Sequence, residues 1–76
     1  LKIMDIVHFN PNVTDKEDRT PLIIATQKNN VKMVRELLTL ESIDVNKADM
    51  WGNTSLHHAV LQGNDDIIKL LLYDHR

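Results

Sequence analysis

A chain of 76 residues allows one small domain, and 42% hydrophobic content suits a packed chain rather than a disordered one. The formal net charge of −2, with both signs interspersed, is a poor footprint for nucleic acid, and the lack of cysteine excludes disulfides and thiolate metal sites. No apolar run approaches the roughly 18 residues that a membrane span needs, so the expected setting is intracellular, cytoplasmic or nuclear.

Leu1, Ile3, Met4, Ile6 and Val7 share one broad apolar stripe, which predicts a helix over 1–9 that starts before the visible sequence. The opening Leu1-Lys2-Ile3-Met4-Asp5 meets charge at once, unlike a secretory leader, and the missing initiating Met points to a fragment. Asn10-Pro11-Asn12 stops that helix, because Pro11 cannot continue it. Val13 to Arg19 is polar and reads as a loop. Thr20 is a good N-cap, and Pro21 suits the first helical position, where a missing N–H costs nothing. That helix runs to a tight turn at Asn29-Asn30. A second is predicted over about Val31 to Leu40, with Met33, Val34, Leu37 and Leu38 at helical spacing. Glu41 to Asn53 is polar, with a short extended candidate at Ile43-Asp44-Val45. A third helix is predicted from Ser55 to about Gln62, followed by a turn at Gly63-Asn64. The last spans Asp65 or Asp66 to Tyr73, and the two acids complement the positive end of its dipole.

The chain repeats itself. Thr20-Pro21-Leu22-Ile23-Ile24-Ala25 is echoed thirty-four residues later by Thr54-Ser55-Leu56-His57-His58-Ala59, and Val34 to Leu38 by Ile68 to Leu72. Between 20–38 and 54–72, six of nineteen positions are identical. Neither helix pair can bury its apolar face alone, and stacking one pair on the next does so.

These residues resemble ankyrin repeats. The second copy follows the family pattern through Asp49, Gly52, Thr54, Leu56, His57, Ala59, Gly63, Ile67, Ile68, Leu71 and Leu72. The first supplies Asp15, Thr20-Pro21-Leu22, Ala25, Met33, Val34, Leu37, Leu38 and Asp44-Val45-Asn46. The resemblance implies an all-α ankyrin-repeat solenoid of stacked helix-turn-helix pairs with hairpin-like loops between repeats. It divides the chain into 1–14, the outer helix and loop of a partial repeat, then 15–48, a full repeat, and 49–76, a second repeat incomplete at its end. Asn29 stands where the family has Gly, at a position that needs a left-handed backbone. Ile23 replaces the usual His and Ser55 the usual Pro. The loop around Thr39 to Ile43 is one residue longer than usual, and the short link before Asp15 predicts a stunted first finger.

Signs of catalysis are weak. His57 and His58 are adjacent on a helix and point about a hundred degrees apart, so they cannot chelate one ion together. The resemblance gives the His57 ring a bond to neighbouring loop backbone. Asp65-Asp66 and Glu17-Asp18 occupy helix starts or loops, where acids are ordinarily solvated, and no phosphate-cradling loop is present. The expectation is a non-enzyme with no cofactor and no metal. Asp44-Val45-Asn46 resembles a site that asparagine hydroxylases use on such repeats, and turn geometry explains the same residues more simply.

In proteins this one resembles, partners contact the finger tips and the concave face of the first helix of each pair. Carried over by position, that selects Lys16, Glu17, Arg19, Gln27 and Lys28, then Met50, Trp51, Asn53, Leu61 and Gln62. Trp51 either packs over the neighbouring finger or stands exposed as an aromatic anchor. Leu61 falls where its helix faces out. The expected function is a protein–protein interaction module binding another protein through loop tips and the concave helix face. The alternative is an architectural spacer of a longer solenoid. Apolar end faces without polar caps, Ile3, Ile6 and Val7 at one end and Ile67, Leu70 and Leu71 at the other, predict further ankyrin repeats in a longer array or self-association through an end.

Overall fold

The computed structural model describes residues 10–74 and 76. Four helices follow one another: α1 (Pro21–Gln27), α2 (Val31–Leu38), α3 (Ser55–Gln62) and α4 (Asp65–Tyr73). Each pair is a hairpin. α1 packs on α3 in an inner layer, α2 on α4 in an outer one, and each layer packs on the other within its own pair. The predicted helix over 1–9, with Ile3, Ile6 and Val7, lies outside the described residues.

Local chemistry starts every helix. Thr20, Asn30, Thr54 and Asn64 each accept a bond from the backbone N–H three residues on. Thr54 forms a full capping box with His57. The hairpin turns need a left-handed residue, which is Gly63 at φ 68 in the second pair and Asn29 at φ 55 in the first. Asn64 Nδ2 then donates to Asn29 Oδ1 at 3.1 Å, so the two turns are stitched together.

Burial on the shared face supplies the driving force. Leu22, Ala25, Val34, Leu37, Ile43, Ala59, Ile67 and Leu71 form one core, and each large aliphatic removed from water stabilises by about 1.5–3 kcal/mol. Small Ala25 and Ala59 at matching positions let the hairpins approach closely. Thr26 is wholly buried because its hydroxyl donates to the Leu22 carbonyl at 2.8 Å.

Four expectations are corrected here. α2 ends at Leu38 rather than Leu40, because the Thr39 and Leu40 N–H groups bond three residues back and tighten the turn. Ile43-Asp44-Val45 forms no strand; Ile43 is instead a buried plug in a turn-rich loop. The tip of the first finger is not stunted, since Asp15 N–H closes on the Arg19 carbonyl as Asp49 N–H does on the Asn53 carbonyl. Asn12 ties the approach to the next loop by accepting from Asp44 N–H at 2.7 Å and donating to the Ser42 carbonyl at 2.8 Å. At the far end, Ile67 and Leu71 are buried and Leu70 is half-buried, while Val60, Leu61, Leu72 and Tyr73 carry the exposed apolar surface.

The first finger also holds Asp18 at φ 61, where the second has Gly52 at φ 81. Asp18→Gly should raise stability by about 0.5 kcal/mol, the relieved left-handed strain outweighing the extra freedom of the unfolded chain. Thermal unfolding checks this, and a lower Tm for the variant would contradict it.

Candidate functional site

The two fingers are the same loop built twice. In the first, Asp15 Oδ1 accepts the N–H groups of Glu17 and Arg19, both at 2.9 Å. In the second, Asp49 Oδ1 accepts those of Trp51 at 3.0 Å and Asn53 at 2.9 Å. Backbone bonds close each turn at matching places, from Asp15 N–H to the Arg19 carbonyl and from Asp49 N–H to the Asn53 carbonyl. Met50 N–H donates to the Glu17 carbonyl at 2.9 Å, which ties one finger to the next.

The cation that completes each loop differs. Arg19 Nε donates to Asp15 Oδ2 at 2.8 Å and reaches Glu17 Oε1 at 3.3 Å. In the second finger the matching position is Asn53, and His58 Nε2 meets Asp49 Oδ2 at 2.9 Å. The Asp49 carboxylate is enclosed and the His58 ring mostly so. The Arg19 backbone N–H, helped by its side chain and the Glu17 N–H, holds the Asp15 carboxyl below the usual range against partial burial. Burial pushes Asp49 up, but the Asn53 N–H, the His58 ring and the Trp51 N–H together outweigh it and leave the value lowered. Both carboxylates therefore favour the fold above their unfolded pKa, and that contribution fades as acid protonates them in the folded state.

The residues selected from the sequence divide clearly. Lys16, Glu17, Lys28, Met50, Trp51, Leu61 and Gln62 are exposed, while Arg19, Gln27 and Asn53 are half-buried. Met50 is 56% and Trp51 62% exposed, so Trp51 stands out from the finger rather than being packed under a neighbour. Arg19 Nη1 donates to Gln27 Oε1 at 3.0 Å, and Gln62 Nε2 donates to the Gln27 carbonyl at 2.8 Å. These polar groups link finger, α1 and α3 into one strip. Lys28 caps the C-terminal end of α1 and Leu61 lies in the last turn of α3, and both are exposed.

His57 is exposed, and its Nδ1 accepts the backbone N–H of Thr54, at the end of the adjoining loop, at 3.3 Å, the kind of bond that the resemblance implied. His58, its neighbour on α3, makes the enclosed contact with Asp49. A signal existed: the copies differ at two positions together, Arg19 against Asn53 and Ile24 against His58, as when one cation replaces another. Asn46 donates its side-chain amide to the Arg76 carbonyl and takes its own N–H to Asp44 Oδ1, a local turn. Among the described residues no group of three His, Asp or Glu side chains is placed to hold a metal, and no helix is long and apolar enough to cross a membrane.

A profile of three ankyrin repeats matches residues 1–76. Mouse inversin is 42% identical over 66 residues, covering 82% of this chain and 6% of that protein. The mouse 2-5A-dependent ribonuclease is 47% identical over 57 residues, 74% of this chain and 8% of the enzyme. The chicken nuclear factor NF-kappa-B p105 subunit is 34% identical over 74 residues, 95% of this chain and 7% of its own length. The chain belongs to the ankyrin-repeat family, whose repeats are generally non-catalytic protein–protein interaction modules. It spans less than a tenth of each of these relatives.

Proposed function

We propose that this chain binds another protein through the tips of its two fingers, with Met50 and Trp51 as the apolar contact and Lys16 and Glu17 as its charged rim. The observation that carries this reading is the exposure of a Met–Trp pair on a loop whose backbone N–H groups, from Asp49 to Asn53, are all bonded. An aromatic that pays little ordering entropy on contact is the kind of residue that dominates interface energetics. Arg19, Gln27 and Gln62 hold the strip behind the tips in shape, and Asn53 closes the second loop.

Leu61 supports a second reading. It lies with Leu56, His57 and Val60 around an open apolar hollow at the end of the stack. One repeat earlier, Leu22, Ile23 and Thr26 are wholly buried and α1 packs on α3. By that equivalence Leu56, His57 and Val60, with Leu61 at their edge, belong to repeat stacking, the architectural role, and not to the finger surface. Trp51→Ala and Leu61→Ala, tested separately, distinguish the two. Partner recovery by affinity capture, followed by titration of the purified partner, should weaken about 30-fold for Trp51→Ala. Thermal unfolding of that variant should match the parent. Loss of stability with partner affinity intact would refute the finger reading and leave the spacer.

A further inference from the structure

We propose that His58 is the positioning residue of the second finger, and that through Asp49 it makes the presentation of Met50 and Trp51 depend on protonation. The inference rests on the reading of those two side chains as the contact tip, and adds how that tip is regulated.

The geometry sets the two fingers apart. Asp15 and Asp49 carry out the same task, gathering two backbone N–H groups and so fixing the turn. Asp15 is neutralised by Arg19, a cation at every physiological pH. Asp49 has His58 instead, at 2.9 Å, from the adjoining helix. The carboxylate has no proton to give, so the bond requires the hydrogen on His58 Nε2. A neutral ring in that tautomer donates one ordinary bond. A protonated ring donates a charge-assisted one, shorter and about twice as strong. Histidine is the side chain whose charge changes between about pH 5 and 8.

The surroundings leave the pair to itself. α1, packed against α3, carries no ionisable side chain. α4 brings Asp65, Asp66, Lys69 and Tyr73, all exposed, and α3 adds the exposed His57. In the first finger, Lys16, Glu17 and Asp18 are exposed, and Arg19 is engaged by Asp15 and Glu17. His58 and Asp49 are the partners of each other.

The sign follows. As pH rises through the His58 titration, Asp49 loses its cation, its grip on the Trp51 and Asn53 N–H groups slackens, and the tip loosens. The first finger stays as it was. In stronger acid, protonation of Asp49 releases the second loop again, so its tightest state lies in mildly acidic solution.

The test needs no partner, so its failure is separate from failure of the finger reading. Amide–solvent exchange of the intact chain is followed by NMR from pH 5.5 to 8, corrected for intrinsic base catalysis, with the His58 ring resonance titrated in the same samples. Protection at Trp51 and Asn53 should fall about fivefold through the His58 transition, the population change that corresponds to about 1 kcal/mol between a neutral and a charge-assisted bond. Protection at Glu17 and Arg19 should stay level, which controls for global opening. His58→Gln, a neutral donor, should remove the step and hold protection at the high-pH level. Asn53→Arg, which copies the first finger's cation, should remove it at the low-pH level. An unchanged step in either variant, or an equal step in both fingers of the parent, overturns the proposal. So does a flat profile while His58 titrates, a result that needs no variant to fold.

Discussion

Leu22→Ala should remove most of the stability of the chain and bring it close to its unfolding midpoint at 25 °C. Leu22 is wholly buried where α1 meets the rest of the core, and removing its isobutyl group costs the transfer energy plus a cavity, about 3 kcal/mol. A domain of this size holds only about 3–5 kcal/mol in total. The same substitution at Leu61, on the second hairpin and 76% exposed, should cost less than about 0.5 kcal/mol. Far-ultraviolet circular dichroism with urea titration reads both. A cooperative transition for Leu22→Ala within 1 kcal/mol or so of the parent would mean that the inter-repeat face is not the main source of stability.

Ser55→Pro runs the other way, and should stabilise by about 1–2 kcal/mol. Ser55 is the first residue of α3, it is buried, and its hydroxyl has no hydrogen-bond partner. An unpaired buried hydroxyl costs about 1–3 kcal/mol. The first repeat shows that Pro fits, since Pro21 opens α1 behind Thr20 at φ −84 and ψ 166, and Thr54 sits at φ −85 and ψ 174. The substitution removes the orphaned hydroxyl and restricts the unfolded chain at once. A lower urea midpoint for the variant would show that Ser55 has a partner in solution, such as a bound water.

The helices were legible because their signals are local. Thr20-Pro21, Asn29-Asn30, Thr54 and Gly63-Asn64 act within one turn of the chain, and capping and left-handed turns need nothing from elsewhere. The repeat carried the fold further still, since two copies of one amphipathic hairpin have one economical way to bury their faces. Exposure of Leu61 was equally readable from its position in the repeat, whereas the choice between a packed and an exposed Trp51 was made by the structure. The finger interiors were not readable either. Asp49 finds His58 nine residues away on a helix, while Asp15 finds Arg19 four residues away in its own loop. Spacing cannot choose between such partners.

The sequence by itself determined the number and direction of the described helices, the repeat register and the absence of disulfide chemistry, because each follows from local propensity, period or composition. Only the tertiary structure decided that Arg19 and Gln27 are committed within the molecule, that Ile67 and Leu71 are interior while Val60 and Leu61 are not, and that His58 rather than His57 holds a carboxylate. The physical reason is common to all three. Which groups meet depends on how one hairpin lies on the next, a relation set by packing across some thirty residues of chain and carried by no single stretch of it.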